Sequence, residues 1–136
     1  MSPGRILLVA SIAIVATAVV AGLIITGSPG TQRELRMDER RVADLRGLSN
    51  SLSRRYRETG RLPDTLGALV DGRLLAVLPR DPMTAAAYEF EPTGRTTFRL
   101  CAEFARKAMP AGADDFWAHD AGRQCFDFDY ASLSRY

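Results

Sequence analysis

The apolar residues of this chain form one long uninterrupted block, followed by shorter periodic stretches. The block covers residues 6–26 and contains no charged side chain. Roughly 20 apolar residues, each rising about 1.5 Å along a helix, cross the hydrocarbon core of a bilayer. Lipid requires every backbone N–H and C=O to be paired within the segment, which favours a helix. The pattern predicts a membrane anchor that includes Ile6, Leu7, Leu8, Ile12, Ile14, Val19, Leu23 and Ile24.

Two other interpretations of this block are weaker. A cleaved secretory signal has a shorter apolar region, of about 7–15 residues, and a small-x-small cleavage site. Here Thr26, Gly27 and Ser28 form a poor site. A buried core helix would need a second long apolar segment to cover it, and the sequence has none. The chain is therefore expected to comprise a tail (1–5), a transmembrane helix (6–26), a hinge (27–30) and one domain (31–136).

A single apolar stripe at helical spacing follows the hinge. It predicts one long amphipathic helix from Gln32 to about Thr59, with Thr31 as its N-cap and Glu34 at the capping-box position. The charged residues between the stripe positions, Arg41 among them, are expected to face solvent. A coiled-coil partner remains open, because the pattern is too short to decide. The stripe consists of Leu35, Val42, Leu45, Leu48, Leu52 and Tyr56.

A short helix and an irregular apolar segment come next. Asp64 is a suitable N-cap for a helix that runs to Val70, where Asp71 and Gly72 end it. The apolar residues of the following segment are expected to cover the core, and a proline-rich turn closes it. These residues are Leu74, Leu75, Val77 and Leu78, and the turn is residues 79–82.

The last third of the chain alternates apolar and polar residues, which predicts strands. Strands are expected at residues 87–91, 96–104 and 124–130, with a glycine-containing hairpin loop between the first two. The long helix and this small antiparallel sheet together indicate an α+β domain. The residues expected on the core side are Phe98, Leu100, Ala102, Phe104, Phe126, Phe128 and Tyr130.

The two cysteines, Cys101 and Cys125, fall out of phase with those core-facing residues. If their strands are neighbours, both sulfurs lie on the side of the sheet away from the core. A disulfide then requires Cα atoms within about 7 Å. In the chain-entropy description such a link contributes about 3 kcal/mol. Two unpaired thiols are the alternative.

Charge and composition exclude few functions. The 136 residues carry 18 Lys and Arg against 16 Asp and Glu, a net charge of +2. The long helix lacks the interleaved aromatics of a nucleic-acid surface, so no nucleic-acid partner is expected. Arginines after the anchor favour a cytoplasmic domain by the positive-inside rule, a rule that weakens for long segments. The cysteine pair favours the opposite side of the membrane.

Catalytic and metal-binding patterns are weak. The single histidine, His119, lies beside Asp120, and a catalytic zinc needs about three protein ligands. No serine lies in a nucleophile elbow, so the chain is predicted not to be an enzyme and to hold no cofactor. Asp114, Asp115 and Asp120 could offer oxygens to calcium, but without the spacing of a calcium loop.

Several short motifs, in order, resemble the type IV pilin-like proteins and especially the pseudopilins of type II secretion. Residues 56–63 (YRETGRLP) are similar to the family's Tyr-x-x-x-x-Gly-x-Tyr-Pro segment, and Leu66 and Leu69 match the leucines that follow. Residues 78–82 (LPRDP) resemble the family's Pro-Lys-Asp-Pro turn. Residues 88–90 (YEF) are similar to its first strand.

The resemblance implies a pilin-like fold and a non-catalytic role in a bacterial secretion or envelope assembly. It places the anchor in the inner membrane, the domain in the periplasm, and the partners among envelope proteins. The chain departs from the family at Gly4, which is followed by Arg5 instead of Phe-Thr-Leu and a glutamate. This departure favours a pilin-type domain on a plain anchor over a filament subunit. An extracytoplasmic sensor of a small ligand or calcium is the alternative.

Overall fold

The computed structural model describes residues 2–26, 28–108 and 115–130. The chain divides into two compact units, Met1–Glu34 and Leu35–Tyr136. Long helices followed by a small antiparallel sheet confirm the α+β class. Within the described residues the elements are α1 (Pro3–Thr26), α2 (Pro29–Thr59), a 3-10 helix (Leu66–Leu69), β1 (Glu89–Pro92), β2 (Thr97–Phe104) and β3 (Gly122–Asp129).

Helix α2 begins three residues earlier than the sequence pattern predicts. Its first residue is Pro29, and the Oγ of Ser28 accepts a hydrogen bond from the backbone N–H of Thr31 at 3.2 Å. Ser28 is therefore the capping side chain, and the prediction of Thr31 as N-cap is wrong. A serine followed by proline starts a helix well, because the hydroxyl satisfies a free N–H and proline at the first position needs none.

The apolar stripe of α2 forms one side of the core, as predicted. Leu45, Leu48 and Leu52 are fully buried. Burying a side chain of this size contributes roughly 1.5–3 kcal/mol. The other buried members of the core cluster come mainly from the sheet: Leu69, Tyr88, Phe98, Leu100, Ala102, Phe104, Phe126 and Phe128.

The three strands form an antiparallel sheet in the order β1-β2-β3. In the register, Leu100 on the central strand β2 lies opposite Phe90 of β1 and Phe126 of β3. Phe98 and Phe128 also lie opposite each other, with ring centroids 5.0 Å apart. The predicted core-facing phase is confirmed, although β1 and β3 each begin two residues from the predicted start.

The segment between α2 and the sheet differs from its prediction in two ways. The short helix is a 3-10 turn flanked by Thr65, with no capping side chain, so Asp64 is not its N-cap. Val77 is 75% exposed and does not cover the core. Leu74, Leu75 and Leu78 do pack against the core cluster, as expected. An irregular segment has no periodicity, so its sequence does not show which apolar residues point inward.

Ala85 adopts a left-handed backbone conformation, with φ of 58°. It lies in a turn in which its N–H bonds to the carbonyl of Asp81 at 2.9 Å. This conformation is unfavourable by roughly 1–2 kcal/mol for a residue with a Cβ. Glycine avoids this cost, but its greater conformational freedom in the unfolded chain offsets part of the gain. We expect Ala85→Gly to raise the free energy of unfolding by roughly 0.5–1 kcal/mol in urea denaturation.

The neighbouring exposed Ala86 provides the matched control for this change. Its φ is not in the left-handed region, so Ala86→Gly adds only the entropy of the unfolded chain and lowers stability slightly. Equal effects of the two substitutions would contradict the role given to the backbone of Ala85.

Candidate functional site

The predicted anchor residues all lie in α1, with their side chains exposed. Their exposed fractions run from 53% for Ile6 to 76% for Ile24. An exposed apolar surface along the whole length of a helix is unfavourable in water and matches the interior of a bilayer. The anchor residues placed on this surface are Ile6, Leu7, Leu8, Ile12, Ile14, Val19, Leu23 and Ile24.

The hydroxyl groups in the middle of α1 are satisfied within the helix. Ser11 Oγ donates to the carbonyl of Leu7 at 2.9 Å, and Thr17 Oγ1 donates to the carbonyl of Ala13 at 2.8 Å. Such bonds let hydroxyl side chains enter lipid without an unpaired donor. Among the described residues, the apolar N-terminal helix is the one that is long and apolar enough to cross a membrane, by length and composition.

A buried ionic network lies in the second unit. Arg41 donates from Nη1 to Asp38 at 2.6 Å, and from both Nε and Nη2 to the two carboxylate oxygens of Asp81. Asp38, Arg41 and Asp81 are only 4%, 3% and 8% exposed. The prediction that Arg41 faces solvent is therefore wrong.

The two carboxylates of this network also bind backbone N–H groups of distant segments. Asp38 accepts from Ala105 at 3.0 Å and Arg106 at 2.9 Å, just after β2. Asp81 accepts from Met83 at 2.9 Å and Thr84 at 2.8 Å. The network thus ties α2 to the end of β2 and to the turn before β1. This arrangement indicates a structural role, because each of the three charged side chains is hydrogen-bonded to other groups of the protein.

Burial alone would raise the pKa of Asp81. Hydrogen bonds from Arg41 and from the N–H groups of Thr84 and Met83 have a larger, opposite effect, so the pKa of Asp81 lies well below its usual value. A carboxylate with a lowered pKa stabilises the fold at neutral pH, and this contribution is lost as the pH falls below the unfolded-state value of about 3.9. We expect the unfolding free energy of the wild type to fall steeply below about pH 4.

The variant Asp81→Asn should lose stability at neutral pH and show a shallower decline in acid. Glu58→Gln, a change at an exposed position of α2, is the matched control and should keep the wild-type slope. Urea denaturation of each protein between pH 2.5 and 7 measures the slopes. If the unfolding free energies of the wild type and Asp81→Asn fall in parallel with decreasing pH, the lowered pKa of Asp81 does not cause the acid instability.

The sheet face away from the core carries the two cysteines, as predicted. Cys101 and Cys125 lie directly opposite each other in the β2–β3 register, with Cα atoms 4.0 Å apart, and they form a disulfide. We call this surface the outer sheet face. Its residues are Glu89, Glu91, Thr97, Arg99, Cys101, Glu103, Arg123, Cys125, Asp127 and Asp129.

Ion pairs cross the strands on the outer sheet face. Arg99 Nε lies 2.7 Å from Asp127 Oδ1, and Arg123 Nη2 lies 2.6 Å from Glu89 Oε2. The pairing with Arg123 lowers the pKa of Glu89. Because these groups are exposed and screened by solvent, such pairs stabilise the fold little. They leave a charged surface on which carboxylates outnumber guanidinium groups.

The solvent-facing side of α2 carries a second charged surface. Exposed residues recur at steps of three and four, which places them on one face of the helix. Arginines lie toward its two ends, and small side chains lie between them. This outer helix stripe consists of Arg36, Arg40, Ala43, Gly47, Asn50, Arg54 and Arg57.

The residues considered for metal binding have other contacts. His119 is 9% exposed and stacks on Phe104, with centroids 3.7 Å apart. Asp120 pairs with Lys107 at 2.9 Å, and Asp115 accepts from the N–H of Trp117 at 3.0 Å. Asp114 lies outside the described residues. Within the part of the chain that the structure describes, no group of three or more His, Cys, Asp or Glu is placed to hold a metal ion.

A groove of about 210 Å³ runs beside β1. It is lined mainly by Leu66, Leu78, Pro79, Tyr88 and Phe90. Pockets that enclose small molecules usually measure about 300–1,000 Å³. The groove is therefore small for a ligand site.

Comparison with known proteins gives no match: no family model, no curated protein and no solved structure is significantly similar to this chain. The apolar helix α1 and the two charged surfaces are therefore the features that bear on function.

Proposed function

We propose that this protein is a membrane-anchored, pseudopilin-like interaction protein of a bacterial secretion or envelope assembly, without catalytic activity. Helix α1 would span the inner membrane once, and the second unit would contact envelope proteins in the periplasm. The disulfide supports an extracytoplasmic domain, because disulfides persist in oxidising compartments. The resemblance of residues 56–63 and 78–82 to pseudopilin motifs supports the assignment to this class of protein.

The observation that carries the proposal is an apolar helix with its side chains exposed, next in sequence to an amphipathic helix whose outer surface is exposed among the described residues. On the outer helix stripe, Ala43, Gly47 and Asn50 leave room for close approach of another backbone. Residues spaced by three and four positions along a helix form the surface on which a second helix packs. The arginines toward the ends of the stripe suit a partner surface that carries carboxylates.

Site-specific photo-crosslinking tests this proposal in membranes of the native host. A photoreactive residue replacing Asn50 should give a discrete cross-linked product with an envelope protein. The same residue at Arg95, in the exposed β1–β2 turn, is the matched control and should give little product.

The charge contribution is tested in the same experiment. The double reversal Arg40→Glu and Arg54→Glu should remove the Asn50 product, because it converts attraction to repulsion. Solubility of the intact full-length chain in the aqueous fraction, or equal products from positions 50 and 95, would refute the proposal. We do not propose a sensor of a small ligand, because the groove beside β1 is small for such a site.

A further inference from the structure

The two sulfurs of the disulfide differ in their surroundings. Cys101 is 3% exposed, whereas Cys125 is partly exposed. The register places Glu89, Cys101 and Cys125 in one row across the three strands. From β3, the guanidinium of Arg123 reaches Glu89 on β1 and lies 3.6 Å from the Sγ of Cys101. The Arg123–Glu89 ion pair therefore lies against the buried cysteine, Cys101, and Cys125 is the more exposed of the two.

Thiol–disulfide exchange depends on which sulfur can be approached. A thiolate attacks one sulfur from the side opposite the S–S bond, and the other sulfur departs. The approach to Cys101 leads from β1, where Glu89 lies and where the guanidinium of Arg123, which belongs to β3, reaches it. The approach to Cys125 leads from the outer edge of β3, which no described strand pairs with. Steric access thus favours attack at Cys125.

Electrostatics favours the same direction. Attack at Cys125 leaves negative charge on the Sγ of Cys101, beside the Arg123 guanidinium. Burial of Cys101 opposes this charge, but the same burial strengthens its attraction to the cation. Glu89 offsets part of the effect, since its carboxylate shares the guanidinium.

We propose that Cys125 is a site of covalent exchange with thiols, and that the Arg123–Glu89 pair directs attack there. The attacking thiolate forms a bond to the Sγ of Cys125 while the Cys101–Cys125 bond breaks. The electron pair of that bond stays on Cys101, so the reaction needs no separate oxidant or reductant. Attack by the Cys101 thiolate on the mixed disulfide releases the thiol and restores the original bond.

The outer sheet face also selects the class of thiol. Its carboxylates outnumber Arg99 and Arg123, so the surface repels anionic thiols and attracts cationic ones. The preferred reagent is therefore a thiol carried by a positively charged molecule or by a basic surface of a protein.

The experiment treats the full-length protein in detergent micelles with cysteamine, a cationic thiol, and quenches early time points with acid. Peptide mapping then measures the adduct on each cysteine. We expect the adduct on Cys125 to exceed that on Cys101 by about tenfold or more. The Arg123→Gln variant should reduce this ratio several-fold. The Arg99→Gln variant removes a guanidinium that does not contact the sulfur, and it should leave the ratio unchanged.

Equal adducts in the wild type, or an excess on Cys101, would overturn the proposal. An equal effect of Arg99→Gln and Arg123→Gln would overturn the role of the ion pair. If Arg123→Gln does not fold, as judged by Trp117 fluorescence, Glu89→Gln replaces it and should speed exchange at Cys125. At equal thiolate concentration, the anionic 3-mercaptopropionate should react several-fold more slowly than cysteamine at low salt, and added salt should narrow the difference. Equal rates at low salt would refute the charge preference.

Discussion

Replacement of Arg41 by alanine is expected to lower the free energy of unfolding by about 3–5 kcal/mol, because it leaves two buried carboxylates without their counter-ion. Asp38 and Asp81, which are only 4% and 8% exposed, would then lose the cation that both of them bind. Small domains are typically stable by about 5–15 kcal/mol, so this loss is a large fraction of the total. The contacts at risk are those that join α2 to the end of β2 and to the 81–86 turn.

Urea denaturation of the full-length protein in detergent measures this effect. The single tryptophan, Trp117, packs against Phe126 and Phe128 and so reports on loss of tertiary structure. Arg40→Ala is the matched control, since Arg40 is the exposed neighbour in sequence and its loss should cost less than about 0.5 kcal/mol. Similar midpoints for the two variants would show that the buried network adds little.

The second large effect is expected in the anchor. Placing arginine at both Ile12 and Val19 should release the protein from membranes into the alkaline carbonate wash. Each arginine near the centre of a transmembrane helix costs about 2.5–3.5 kcal/mol for insertion. Ile12 and Val19 lie seven residues apart in the sequence, on one side of α1, and are 61% and 56% exposed.

The conservative double change Ile12→Leu and Val19→Leu is the control for the anchor. It preserves apolar surface and helix, so the protein should stay in the carbonate-resistant pellet with the wild type. Recovery of the intact wild-type chain in the wash would exclude α1 as a membrane span, and the proposed function would fail with it.

The sequence was sufficient to predict those features of the structure that depend only on residues close together in the chain. The length of the apolar block identified α1, because a span needs only enough consecutive apolar residues. Leucines at steps of three, four and seven identified the buried side of α2. Strict alternation placed Phe98 and Leu100 inward, and it therefore placed Cys101 on the opposite face before any strand pairing was known.

Sequence patterns do not reveal the interactions between segments distant in sequence. Arg41 has the spacing of a solvated arginine, since its second partner, Asp81, lies 40 residues away. Arg123 and Glu89, which lie against Cys101, are 34 residues apart. A local signal was available in one case: Asp38 and Arg41 have the i, i+3 spacing of a helical ion pair, although this spacing does not indicate burial.

By itself, then, the sequence determined the long apolar helix at the N-terminus, the helix and strand periods and the side of the sheet on which each cysteine lies, because all of these depend on residues only a few positions apart. The tertiary structure alone decided that Cys101 faces Cys125, that Arg41 is buried between two carboxylates, and that an ion pair lies against the buried cysteine of the disulfide. Each of these depends on strand register and on which segments pack together, and no local pattern encodes that information.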